Sequence, residues 1–153
     1  MRLEKIKHIL VPFDFSEPCE VALKSALGLA KNTGAEIELL HVYDAPTQAF
    51  GKGLIVSSEE AVAELEKFVC DKLEARAQRI AKKCGNKVRH SARQGNAHVE
   101  IVKYAHKKRV DMIVIGTHGR SGFDYAVLGS VAERVVQRAP CPVLVVPRRR
   151  KKK

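Results

Sequence analysis

The stretch Met112-Ile113-Val114-Ile115-Gly116-Thr117-His118-Gly119, followed after nine residues by Gly129-Ser130, decides how this chain is read. Residues 112–115 are an apolar run ahead of a glycine, the pattern of a short strand buried on both faces of a parallel sheet. From 131 to 138 the apolar residues return at helical spacing, and Pro140 stops the helix. Strand, glycines, then helix is the order in which phosphate-binding loops are built. Glycine lets backbone N–H groups approach an anion without a Cβ in the way, and a helix N-terminus offers unpaired donors with about half a positive charge. Ser130 falls at the start of that helix, placed to cap it or to donate to a phosphate.

Working outward, strand and helix alternate along the rest of the chain. Residues 9–13 read as a first strand, and Ser16 as the cap of a helix running to about Thr33, with Pro18 in its first turn and Gly34 closing it. Residues 36–43 read as a second strand and 44–56 as a Gly/Pro-containing loop. Ser57 or Ser58 then opens a long helix whose apolar stripe is Val62, Leu65, Val69, Leu73, Ala77 and Ile80, ended by Gly85-Asn86. Residues 87–93 alternate as an edge strand does, Gly95-Asn96 turns into a helix carrying Val99, Val102 and Ala105, and 143–146 is the fifth strand. Such alternation implies a parallel sheet with helices on both faces. Right-handed crossovers restrict its topology, and the ligand is expected beyond the carboxyl ends of the strands, where Asp14 and Gly116 lie.

At 153 residues the chain suits one domain over 1–147 with a basic tail at 148–153. No apolar stretch approaches the ~18 residues of a membrane span. Cys19, Cys70, Cys84 and Cys141 show no Cys-x2-Cys or His spacing, so no zinc site or disulfide framework is expected, and reduced thiols in a cytoplasm are. The tail supplies six of the +11 net charges. Such a run is ordinarily a solvated end that attracts polyanions without specificity. With 5% aromatic residues and no Trp, the chain lacks a base-stacking platform, so no specific nucleic-acid partner is expected.

The spacing Gly-x2-Gly-x9-Gly-Ser is neither Gly-x-Gly-x2-Gly nor a P-loop. At these residues the sequence resembles the ATP-binding branch of the universal stress protein family, in which that spacing is the nucleotide signature. Ile9-Leu10-Val11-Pro12-Phe13-Asp14-Phe15-Ser16 looks like the family's first strand and turn, and residues 139–147 look like its last strand, so the resemblance covers nearly the whole chain. It implies an open five-stranded parallel sheet of order 3-2-1-4-5, Rossmann-like and of the adenine nucleotide alpha hydrolase-like type.

The candidate nucleotide-binding residues are Pro12, Phe13 and Asp14 after the first strand and Val42 on the second, with Ile115, Gly116, His118, Gly119 and Arg120 along the glycine loop. Gly129, Ser130, Val131 and Ala132 complete the set at the start of the last helix. Asp14 reads either as a turn aspartate or as a carboxylate accepting hydrogen bonds from a ribose or adenine edge. In ATP-binding relatives the counterpart of Val42 pairs its backbone with adenine, so its side chain carries no chemical signal. The glycines permit either a tight turn with close helix packing or phosphate binding, and three of them with Ser130 favour phosphate. His118 contributes either its ring or only its backbone, and Arg120 either pairs a terminal phosphate or is a solvated loop residue. Many relatives carry a hydroxyl two residues after the counterpart of Ser130, whereas Ala132 stands here. The backbone N–H groups of Val131 and Ala132 remain as donors. Cys19, in the first turn of the first helix, sits where the dipole lowers a thiol pKa, although a packed, inert thiol is the expected state. His8, His41 and His90 have no metal-ligand spacing and read as core or edge residues.

The expected function is a cytoplasmic, homodimeric stress-response protein that binds ATP, with Mg2+ held through the phosphates. Its dimer contact would be the apolar edge strand 143–146. Only Asp124 offers a base near a terminal phosphate, so turnover is expected to be slow or absent. Two alternatives stay open: a slow ATPase or phosphotransferase, and a weak nucleotide binder whose tail holds polyanions.

Overall fold

The computed structural model describes residues 6–44, 47–50, 53–56, 58–117 and 128–147, and for 47–50 and 53–56 the backbone alone. Five strands, β1 His8–Pro12, β2 Glu36–Tyr43, β5 Val88–Gln94, β6 Met112–Gly116 and β7 Val143–Val146, form one parallel sheet in the order β5-β2-β1-β6-β7. Counting only these strands along the chain, the order is 3-2-1-4-5, as expected. Two further strands, β3 Thr47–Phe50 and β4 Gly53–Val56, pair antiparallel in a separate two-stranded sheet. The segment 44–56 is therefore not wholly the loop that its glycine and proline suggested. Its runs of four residues are too short for a period to stand out.

Helices α1 Glu17–Thr33 and α2 Glu59–Cys84 share a core with one face of the sheet. There Ile9, Val11, Ile37, Leu39 and Val114 meet Ala22, Leu23, Ala26, Leu73 and Ile80. On the other face Leu10, Leu40, Ile113 and Ile115 meet α3 Ala97–Lys108 and α4 Ser130–Arg138. Period-two alternation along buried strands produces these two cores, and each fully buried Leu or Ile contributes roughly 1.5–3 kcal/mol. β6 is buried at every position because it lies inside the sheet with helices on both sides. β5 and β7 are the edges, and apart from the buried Ala92 their side chains are correspondingly half-buried or exposed.

The helix ends follow the sequence signals. Gly34 and Gly85 close α1 and α2 in the left-handed conformation, at φ 74° and 71°. Of the two serines proposed to open α2, Ser58 is the cap, its hydroxyl accepting from the Ala61 N–H at 3.3 Å. One reading needs correction and one a qualification. α3 buries His98, Ile101, Tyr104 and Ala105, while Val99 and Val102 are only half-buried. A stripe counted on aliphatic residues rotates the helix away from its polar but buried positions. Ser16 does occupy the N-cap of α1, but its side chain makes no cap hydrogen bond.

The reason Tyr104 can be buried is Glu38, 4% exposed on β2. Its Oε1 accepts from the Tyr104 hydroxyl and from Ser91 Oγ at 3.0 Å, and its Oε2 lies 2.9 Å from His8 Nε2. Burial works to raise the Glu38 pKa, yet hydrogen bonds from His8, Tyr104 and Ser91 outweigh it and hold the carboxyl down to about 2. His8 is thus a hydrogen-bond partner of a buried carboxyl group on the neighbouring strand. Replacing Glu38 by Leu leaves these donors without their acceptor, and a loss of roughly 2–3 kcal/mol is expected at neutral pH in urea unfolding. A carboxyl with a depressed folded pKa contributes stability that is present above its ordinary value of 4.5 and lost as pH falls towards about 2. The advantage of the native chain over Glu38→Leu should therefore shrink across that window.

Candidate functional site

β1 and β6 lie side by side at the centre of the sheet, and their chains leave it towards opposite faces, since α1 packs with one core and α4 with the other. Such a switch point leaves a crevice at the carboxyl ends of the strands. A cavity of about 400 Å³ opens there. Pro12, Phe13 and Asp14 form one side, Ile115 and Gly116 the other, Val42 projects from β2, and Gly129, Ser130, Val131 and Ala132 bring in the first turn of α4. Ten of the thirteen candidate residues are thereby brought to one place. His118, Gly119 and Arg120 lie outside the described residues, as do Asp124 and the tail 148–153.

The two ends of the glycine segment are tied together. The Gly129 N–H donates to the Thr117 carbonyl at 2.7 Å, and the Thr117 N–H donates to the Val146 carbonyl at 3.2 Å. α4 therefore begins at a fixed point above β6 and β7. Gly129 is its N-cap and contributes no side chain, so the cap places no group between the first-turn N–H donors and the cavity. Gly116 is explained differently. A Cβ there would lie 2.7 Å from the carbonyl oxygen of Pro18, so the glycine lets β6 approach the first turn of α1. The packing reading holds at this position whatever the cavity binds.

Asp14 follows β1 in a turn with a specific geometry. Its Oδ1 accepts from the Ser16 N–H at 3.0 Å and from the Ser16 hydroxyl. This bond takes the Ser16 hydroxyl away from the helix cap. Phe15 between them has φ 64°, a left-handed backbone that costs an L-residue other than glycine roughly 1–2 kcal/mol. Asp14 is thus a turn aspartate in its hydrogen bonding and a cavity wall in its position, and the two readings coexist.

Sequence reasoning missed several neighbours. Leu40 and Ile101 extend the apolar wall beside Val42 and Ile115, and Ala97 starts α3 against it. Aliphatic side chains of this kind carry no chemical pattern, and only the packing of α3 on β2 reveals them. Asp44 and Thr117 add polar groups, and His41, 6% exposed, places Nδ1 2.7 Å from the Phe13 carbonyl. Cys19 also reaches the cavity, and burial there outweighs the lowering that a helix dipole would bring, in keeping with the packed state expected for it. Burial pushes its thiol up to about 12, and its Sγ donates to the Ser16 carbonyl at 3.0 Å. It is a packed thiol rather than a reactive one. Among the described residues no three His, Cys, Asp or Glu side chains gather in a way that could hold a metal ion, and no helix is long and apolar enough to cross a membrane.

The sequence model described as the universal stress protein family matches residues 5–147. The chain belongs to the universal stress protein family. Universal stress protein MJ0531 of Methanocaldococcus jannaschii is 37% identical over 145 residues, which cover 95% of this chain and 84% of that one. Universal stress protein MJ0577 of the same organism is 36% identical over 155 residues, covering 94% and 96%. Its solved structure matches this fold with a TM-score of 0.74 at 33% identity over 95% of this chain and 99% of that one. The universal stress protein from Archaeoglobus fulgidus in complex with dAMP shares the fold at 20% identity, with a TM-score of 0.62, covering 92% and 96%. These solved universal stress proteins share with this one the parallel, Rossmann-like sheet that creates the switch-point cavity.

Proposed function

We infer that the protein is an ATP-binding universal stress protein that works as a regulator in the cytoplasm with little or no turnover. The observation that carries the reading is the convergence on one cavity of three separate sequence segments, the turn after β1, the end of β6 and the first turn of α4. The apolar wall of Leu40, Val42, Ile101 and Ile115 suits a flat base, and the N–H donors of α4 with Ser130 suit phosphates. A family relative held with dAMP supports an adenine nucleotide in this fold. Mg2+ would be bound through the phosphates. Asp14 Oδ1 is engaged by Ser16, so this carboxylate both closes the turn after β1 and lines the cavity. Calorimetry with Mg-ATP is expected to give one site per chain. Absence of heat and of thermal stabilisation at millimolar ligand would overturn the reading.

The same reading includes a homodimer through β7. This strand is a sheet edge, Leu144 on it is 38% exposed, and Val136 on neighbouring α4 is 46% exposed. The carbonyls of Pro142 and Val146 are engaged towards β6, so by alternation the N–H and C=O of Val143 and Val145 point outwards. An unprotected apolar edge of this kind favours pairing with the same strand of a second copy. Val145→Pro removes one outward donor while sparing the β6 ladder. Light scattering at roughly ten micromolar, a concentration matched to an ordinary interface, should give a dimer mass for the native chain and a monomer mass for this variant. A monomeric native chain would remove the edge-pairing argument.

A further inference from the structure

Among the described residues only Phe15 and Arg109 have a positive φ without being glycine, at 64° and 51°. Arg109 is the left-handed closing residue of α3, a common place for that conformation. Phe15 closes no helix. It stands between the wall of the cavity and the start of α1, and Ser16 beside it departs from local preference as well, while Asp14 makes the Asx turn usual for its type. Ser16 holds the N-cap position of α1 but gives its hydroxyl to Asp14, and Asp14 takes both the N–H and the hydroxyl of Ser16 on one oxygen. Departures from local preference in consecutive residues persist only where surrounding structure holds them, and they gather at functional sites.

The surroundings that hold Phe15 are visible. Its ring meets Phe13 edge-on at 5.2 Å between centroids and lies tilted against the His41 ring at 5.4 Å. Lys72 of α2 places its Nζ 4.5 Å from the Phe15 centroid, the geometry of a cation–π contact. His41 in turn lies at hydrogen-bond distance from the Phe13 carbonyl, so the ring cluster and the cavity wall share a backbone. Phe15 packs against the core on the α1 and α2 face, while Asp14 lines the cavity. The ring is an anchor on one side of the sheet for a carboxylate presented at its end.

We propose that Phe15 is a positioning residue for the ligand, its ring clamped by Phe13, His41 and Lys72 so that the left-handed turn holds the Asp14 carboxylate at the cavity. The inference rests on the nucleotide reading above. A glycine at this position would adopt the same backbone without strain but would leave the turn free to leave it. A ring is therefore used where conformation alone would call for glycine.

The test is Mg-ATP calorimetry on the native chain, Phe15→Gly, Phe15→Tyr, Asp14→Ala and the Asp14→Ala/Phe15→Gly pair, with thermal unfolding of each. Phe15→Gly should bind roughly tenfold more weakly or worse while remaining folded, and Phe15→Tyr should restore affinity by restoring the ring. Because Phe15 acts through Asp14, the double variant should bind no more weakly than Asp14→Ala alone, whereas a residue that merely supports the fold would add its loss. Unchanged affinity in Phe15→Gly, no rescue by Phe15→Tyr, or additive losses would overturn the proposal while leaving the nucleotide reading intact. No binding by the native chain would overturn the nucleotide reading, and this proposal with it.

Discussion

Gly129→Val is expected to weaken Mg-ATP binding by roughly a hundredfold or more, about 2.7 kcal/mol, with little effect on the fold. Gly129 has φ −60° and ψ 147°, a backbone open to any L-residue, so conformation does not require glycine there. What a side chain would alter is the cavity, which Gly129 lines at the N-cap of α4 beside Ser130, Val131 and Ala132. A branched side chain at the cap would stand in front of the N–H donors that the proposed phosphates use. Valine is a poorer cap than glycine, which costs up to about 1 kcal/mol and should lower the melting temperature by only about 2–4 °C. Calorimetry paired with thermal unfolding separates the two effects. Native affinity in this variant would remove the first turn of α4 from the proposed site.

Gly116→Ala should do the reverse, with stability as the quantity that changes most. The added methyl would lie 2.7 Å from the carbonyl oxygen and 2.9 Å from the carbonyl carbon of Pro18. Both atoms are backbone in the first turn of α1, and no rotamer change relieves the contact. β6 or α1 must shift, at the cost of packing between Pro18, Cys19, Ala22 and the sheet. Overpacking of this kind costs about 2–3 kcal/mol, so a fall of roughly 5–10 °C in melting temperature is expected by scanning calorimetry for a chain of this size. A change below about 2 °C would mean that the strand end accommodates a side chain and that its glycine has another cause. Together the two variants divide the motif by role: one glycine keeps the cavity clear, the other lets a strand and a helix touch.

The architecture was legible because its signals are local. The buried run at 112–115, Gly34 and Gly85 at helix ends, Ser58 ahead of two acidic residues and the alternation of strand and helix each depend on residues a few positions apart. The strand order came instead from the family likeness, and the sheet has that order. Where chemistry contradicts a simple apolar pattern, the sequence misled. Tyr104 and His98 are buried on α3 because a polar atom finds a partner or because neighbouring helices close over it, and neither fact is written in their spacing. The pairing of 47–50 with 53–56 was missed because contact between two short strands, not period, defines it.

The candidate site divides along the same line. By itself the sequence determined which segments carry glycine, serine and aspartate at strand ends, since those residue types at those spacings already express what backbone approach and helix termini need. Tertiary structure alone decided what each of them does. Long-range packing set Gly116 against Pro18, buried Cys19 so that its thiol is pushed up and not down, and closed the cavity with Leu40, Ala97 and Ile101 from elements that no motif marks. It also placed Phe15 in a left-handed turn that its own side chain disfavours, a choice possible only because His41 and Lys72 arrive from elsewhere in the chain and join the nearby Phe13 in holding it.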